Sequence, residues 1–195
     1  RCRRWDYLLS PSRYVTDLAK QCFDYKKEVL EVGFPRNDLL KSHNEEGVML
    51  EIKKRLGLPL QKKVMLYAPT WRVKQSFQLR LDIDKMQREL GDDWIILLRL
   101  HYFTARSIEL APYRGFAYNL SAHDDIQQLF LIADVLITDY SSVMFDYANL
   151  HRPMIFFTYD LAFYRDQLRG LYIDFEKEAP GPLVKTTDEL IRAIK

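Results

Sequence analysis

The stretch Val135-Leu136-Ile137-Thr138-Asp139-Tyr140-Ser141-Ser142-Val143-Met144-Phe145-Asp146-Tyr147 decides the fold. Its first four residues are apolar or β-branched, without the alternation of a strand that keeps one face in water. Polar residues follow at once, and a helical pattern starts with no linker between. A buried strand that turns directly into a helix is half of a βαβ unit. Working outward, the same unit recurs. Tyr7 to Leu9, Glu28 to Val32, Val64 to Ala68, Trp94 to Leu100, Phe116 to Leu120 and Pro153 to Phe157 read as further strands. Helical patterns near Pro11 to Phe23, Asn44 to Leu56, Asp82 to Leu90, Asp124 to Ala133, Ser142 to Leu150 and Thr187 to Ile194 alternate with them. The expectation is an α/β, Rossmann-like parallel sheet with helices on both faces, spanning residues 1–195 as one domain.

Composition narrows the function. The 195 residues are 48% hydrophobic and 29% charged, enough for a real core, and a net charge of +2 does not require a nucleic-acid partner. Basic residues gather only at Arg1, Arg3 and Arg4. Cys2 and Cys22 have neither metal-ligand spacing nor the number for a disulfide framework, which favours a reducing, cytoplasmic compartment. No apolar run approaches the roughly 18 residues of a membrane span. Seven glycines occur without a Gly-x-Gly-x-x-Gly or Gly-x-x-x-x-Gly-Lys run, which argues against dinucleotide redox and P-loop chemistry. No zinc spacing and no hydrolase elbow is present, so neither a metal nor a cofactor is expected. The chain begins without Met at Arg1-Cys2-Arg3-Arg4-Trp5 and runs straight into a strand, as a piece of a larger protein would.

In an open parallel sheet, ligands bind beyond the carboxyl ends of the strands. Ser141 and Ser142 bring two hydroxyls and unpaired N–H groups to the positive end of a helix dipole, which suits a phosphate, although serines there also serve as simple caps. Asp146 lies one turn further on the same helix face, where it can accept from ribose hydroxyls or merely be solvated. Arg72 offers bidentate donors to a pyrophosphate, or is an ordinary surface arginine. His101 ends a very apolar strand, two residues after Arg99, in a position equally open to a structural histidine. His43, His123 and His151 read as structural. Ser121 or Asp124 is expected to cap the helix near Asp125.

Together, Gly33-Phe34-Pro35-Arg36-Asn37-Asp38, Ala68-Pro69-Thr70-Trp71-Arg72 and Thr138-Asp139-Tyr140-Ser141-Ser142 with Phe145-Asp146-Tyr147 resemble the CDP-glycerol glycerophosphotransferase family of teichoic acid synthesis. Arg152-Pro153, Tyr159-Asp160, Arg169-Gly170-Leu171-Tyr172 and Pro180-Gly181-Pro182 extend the resemblance over nearly the whole chain. It implies a GT-B enzyme of which this chain is the C-terminal, donor-binding half. Its donor would be CDP-glycerol or CDP-ribitol, and its acceptor a lipid-linked polyol phosphate polymer at the inner face of the cell membrane. By that resemblance His101 and Arg72 are the catalytic candidates, while Ser141, Ser142, Asp146, Thr70, Asp139 and Arg36 bind substrate. The family's base, a histidine in an upstream His-Gly pair, would belong to the missing N-terminal domain, since no His-Gly pair occurs here. Tyr102 stands after His101 where the family has proline, and Val73 stands after Arg72 where an acidic residue is common. The competing readings are a UDP-sugar-binding domain of another GT-B glycosyltransferase or epimerase, a non-catalytic nucleotide or polyanion-binding module, and a structural domain without a ligand.

Overall fold

The computed structural model describes residues 2–72, 79–101 and 108–195. Arg1, Val73 and Tyr102, each singled out above, lie outside the described residues. The chain forms two compact units, Arg1–His43 and Asn44–Lys195.

The first unit is a single βαβ element in which β1 (Tyr7–Ser10) and β2 (Glu28–Glu31) pair in parallel around α1 (Arg13–Phe23). Ser12 starts α1 by accepting from the Val15 N–H at 3.4 Å, and Asp24, in the left-handed region at φ 48°, ends it. The expectation of a fully buried β2 is corrected: Glu28 and Glu31 are exposed and the strand pairs with β1 rather than with the main sheet. Gly33, at φ 80°, then turns the chain into the 3-10 turn Pro35–Asn37 and α2 (Asp38–Ser42). Its N–H donates back to the Ser10 carbonyl at 3.2 Å.

The second unit starts with α3 (Glu46–Arg55) and runs through β3 (Lys63–Tyr67), α4 (Ile83–Leu90), β4 (Trp94–Leu98) and β5 (Ala117–Asn119). Then come α5 (Ile126–Ile132), β6 (Val135–Thr138), α6 (Val143–Tyr147), β7 (Met154–Phe157), α7 (Leu161–Phe163), α8 (Phe175–Glu178), β8 (Leu183–Val184) and α9 (Thr187–Ile194). The described strands form one parallel six-stranded sheet in the order β5-β4-β3-β6-β7-β8. Successive side chains point to opposite faces. Met65, Tyr67, Ile96, Leu98, Ile137 and Phe157 therefore pack on one side with Met86 and Leu90 of α4 and Leu190 and Ile191 of α9. Their neighbours Val64, Leu66, Leu136 and Phe156 are buried on the other side, where α5 lies against β3 and Phe156 meets Phe175 of α8 edge-on at 5.3 Å. Helices thus cover both faces, as the continuous apolar runs require.

Helix starts follow local chemistry. Asp82 caps α4 by accepting from the Lys85 N–H at 2.9 Å, and Asp125 caps α5 by accepting from the Gln127 N–H at 2.9 Å. Ser121 is not a cap: its buried hydroxyl donates to the Leu98 carbonyl at 3.3 Å and accepts from the Leu100 N–H at 2.9 Å, tying the end of β4 to the turn after β5. The edge strand β8, which the sequence pattern does not announce, depends on Gly181, where an added Cβ would sit 2.1 Å from the Met154 carbonyl oxygen. The order of strands reverses between β3 and β6, the central pair. β6 brings an aspartate to each end of that seam. Asp134 Oδ2 accepts from the Val64 N–H at 2.7 Å at the amino edge, and Asp139 Oδ1 accepts from the Thr70 N–H at 2.8 Å at the carboxyl edge.

Candidate functional site

The carboxyl edge at this reversal is where a doubly wound sheet opens a crevice for ligands. Two of the segments singled out by sequence, the turns after β3 and after β6, meet there. Thr138 Oγ1 donates to the Ala68 carbonyl at 2.7 Å, and the Thr70 N–H reaches Asp139 as described above. Both bonds join residues about 70 apart in sequence.

Arg72 lies below this junction and is 7% exposed. Its Nη2 donates to Asp139 Oδ2 at 2.8 Å and to Asp160 Oδ1 at 3.2 Å, its Nε donates to Asp160 Oδ2 at 3.1 Å, and its Nη1 donates to the Thr70 carbonyl at 2.6 Å. The rings of Tyr140 and Tyr164 stack on each other at 4.1 Å, with centroids 5.4 and 5.0 Å from the guanidinium. The Tyr140 hydroxyl donates to Asp160 Oδ1 at 3.1 Å. Burial on its own would lower the Arg72 pKa, but the hydrogen bond to Asp160 and the charges of Asp139 and Asp160 outweigh it and hold the group above its ordinary value. Burial, then Asp160, push the Tyr140 phenol up. One cation against two carboxylates leaves no positive charge over for a pyrophosphate. In this geometry Arg72 braces the turns after β3, β6 and β7. Asp139 is 2% exposed, and both of its oxygens accept from the chain itself.

The polar residues left facing outward come from the β6–α6 turn. Ser142 is exposed and its side chain makes no capping bond, while Ser141 Oγ accepts only a long bond from the Val143 N–H at 3.5 Å. Neither serine is a strong cap. Asp146 is half-buried one turn further along α6. The Thr70 hydroxyl is buried and makes no hydrogen bond among the described residues, a costly state for a polar group.

His101, beyond the end of β4, is half-buried and joins the turn after β3 through Trp71: the imidazole and indole stack at 4.4 Å with 14° between their planes. Arg99 points its guanidinium at the Leu120 and Ser121 carbonyls, which fixes it to the β5 turn. Arg36 lies in the first unit, its guanidinium 4.1 Å from the Phe34 ring. Sequence reasoning gave no site role to Asp160, Tyr140, Tyr164 or Trp71. Asp160 follows a buried strand, so the rule that singled out the other turns also applies to it. Among the described residues no group of three or more His, Cys, Asp or Glu side chains could hold a metal ion, and no helix is long and apolar enough to cross a membrane.

Comparison with known proteins identifies the family. The model of the family described as CDP-Glycerol:Poly(glycerophosphate) glycerophosphotransferase matches residues 1–195. The teichoic acid poly(glycerol phosphate) polymerase of Bacillus subtilis (strain 168) is 53% identical over 198 residues, which cover 98% of this chain and 26% of that protein. The teichoic acid glycerol-phosphate transferase of Staphylococcus aureus (strain NCTC 8325 / PS 47) is 45% identical over 202 residues, covering 99% of this chain and 51% of that protein. A solved structure of the wall teichoic acid polymerase TagF with CDPG, from a 30 minute soak, superposes with a TM-score of 0.91 at 45% identity, over 100% of this chain and 48% of that one. The chain thus spans between about a quarter and a half of the length of these relatives.

Proposed function

The chain belongs to the CDP-glycerol:poly(glycerophosphate) glycerophosphotransferase family, and from that premise we propose that its six-stranded unit is the donor-binding domain of a transferase that moves a polyol phosphate from a CDP-linked donor onto a teichoic acid-like or capsular polymer. The observation that carries the reading is the β3–β6 reversal, where a braced turn holds the exposed Ser142 at the sheet's carboxyl edge. The TagF structure with CDPG supports it.

In the proposed reaction an acceptor hydroxyl oxygen attacks the donor phosphorus that carries the polyol. Its bond to the CMP oxygen breaks, CMP leaves, and the hydroxyl proton passes to a base in the remainder of the enzyme. Negative charge builds on phosphate oxygens, so fixed donors at this edge stabilise the transition state. Ser141 and Ser142 hold the pyrophosphate, a donor oxygen satisfies the Thr70 hydroxyl, Asp146 accepts from the ribose, and His101 faces the developing charge. Arg72 and Asp139 keep these groups in place. Arg36 has no part in this reading. With a lipid-linked acceptor, the full-length enzyme works peripherally at the inner face of the cell membrane.

Calorimetric titration with CDP-glycerol, CDP-ribitol, CMP and a UDP-sugar tests the proposal. Cytidine-selective binding, weakened by Ser142→Ala, is expected. Equal or tighter binding of the UDP-sugar would transfer the site to a sugar transferase. No binding to either this chain or the full-length enzyme would remove the donor reading altogether.

A further inference from the structure

Trp71 is a large indole left 37% exposed on a turn that is otherwise held tightly. Hydrophobic burial does not account for its place. Its two neighbours in sequence are both anchored to one carboxylate: the Thr70 N–H donates to Asp139 Oδ1 at 2.8 Å and Arg72 Nη2 donates to Asp139 Oδ2 at 2.8 Å. The backbone carrying the indole is thereby fixed on both sides. His101 stands on a second anchored segment, because the preceding Leu100 N–H donates to the buried Ser121 hydroxyl at 2.9 Å. β3 and β4 run in parallel with Tyr67 opposite Leu98, so the segments carrying Trp71 and His101 leave the sheet side by side. The rings meet across the gap at 4.4 Å, stacked and nearly parallel at 14°.

We propose that Trp71 is a positioning residue for His101: the indole fixes the plane of the imidazole, and so the direction in which its ring nitrogens point, at the carboxyl edge of the sheet. The proposal rests on the reading of His101 as the group that meets charge developing on the donor phosphate. An imidazole on a turn has two free torsions, and a hydrogen bond to an oxyanion needs its N–H within a narrow cone. A flat partner against one face removes most of that freedom before substrate arrives. Stacking on one face leaves the ring edge, where both nitrogens lie, clear of the indole.

The test is a double-mutant cycle in the full-length enzyme with CDP-glycerol as donor. Trp71→Ala is expected to lower kcat on the order of tenfold or more, the scale of a misplaced catalytic group, while the calorimetric affinity for CDP-glycerol stays within about threefold of wild type, as for a loss confined to the transition state. Trp71→Phe keeps a flat ring and should restore most of the rate. In a His101→Ala background, Trp71→Ala should cost nothing further. Multiplying losses in the double variant, an unchanged kcat in Trp71→Ala, or no rescue by phenylalanine would each overturn the proposal. So would a fall in donor affinity equal to the loss of kcat/KM, which would make Trp71 a direct donor contact. Absence of wild-type turnover with CDP-glycerol, or cycle data in which His101→Ala is silent, would bring down the functional reading as well and so is distinguishable from failure of the positioning role alone.

Discussion

Replacing Arg72 by alanine should be among the most destructive single changes in the second unit. The arginine makes four hydrogen bonds, three of them to the carboxylates of Asp139 and Asp160, whose side chains are only 3% and 13% exposed. Summing charge-assisted bonds one by one, at about 1.5–3 kcal/mol each, overstates the effect because they share one guanidinium. The better guide is what remains: two carboxylates side by side without their cation and still out of water. Breaking a buried pair in this way costs about 3–5 kcal/mol, a large part of the roughly 5–15 kcal/mol available to a domain. Replacing all three charged groups together, as Arg72→Met with Asp139→Asn and Asp160→Asn, removes the problem instead of exposing it, and should cost far less than Arg72→Ala alone. Urea unfolding of wild type, Arg72→Ala and the triple variant reads the difference directly. If Arg72→Ala lies within about 1 kcal/mol of wild type, the carboxylates are not held by the arginine and the strut assigned to it does not exist. Should Arg72→Ala fail to fold, the triple variant still decides, since a triad needed only for charge balance predicts that it folds.

Three further outcomes follow from the geometry. Arg152 Nη1 donates to the Leu131 and Ala133 carbonyls at 2.6 and 2.7 Å, at the C-terminal end of α5; Arg152→Ala should cost about 1.5–3 kcal/mol in urea unfolding, and a change under about 0.5 kcal/mol would show the cap to be idle. Asp125→Ala should lose about 1 kcal/mol as a lost cap, whereas Ser142→Ala, with no capping bond, should stay within about 0.5 kcal/mol while weakening donor binding; the reverse pattern would make Ser142 structural. The Tyr67, Tyr140 and Tyr147 phenols are all pushed up, by burial first. Their contribution is therefore fully present below the unfolded value near 10 and is lost as pH climbs above it, because the unfolded chain ionises first. Urea midpoints should be level in this respect up to about pH 10 and fall beyond it, less steeply in Tyr140→Phe; a flat profile through the alkaline range would refute this account.

The strands β3, β4, β6 and β7 were legible because each is a short apolar run buried on both faces. The βαβ repetition then gave the fold class. Strand order was not legible, since β3 and β6 pair across a long stretch of chain and no local signal names the partner. β2 was misgrouped although its sequence carries the warning: Val29 and Leu30 stand between Glu28 and Glu31, and a strand inside a fully covered sheet would not begin and end on exposed carboxylates. At the candidate site, polar residues after a buried strand located the β3 and β6 turns correctly. The rule gave positions and not roles. The bracing of Arg72 was not legible because its carboxylate partners lie 67 and 88 residues away, while Ser121 looked like a cap because the carbonyl and N–H it bonds lie at and just past the end of β4.

The seam between β3 and β6 also dictates when the site can come into being as the chain folds. Its closing hydrogen bonds link residues 69 and 70 apart, and bringing such distant segments together costs roughly 4 kcal/mol of chain entropy before any contact rewards it. The helices and the β3–β4 pair are nearer in sequence and form under weaker entropic opposition. A chain stalled before the seam closes holds much of its secondary structure but lacks the junction proposed to hold the donor. Recovery of donor binding during refolding is therefore a clock for the last long-range step, and it should lag behind the recovery of helical signal.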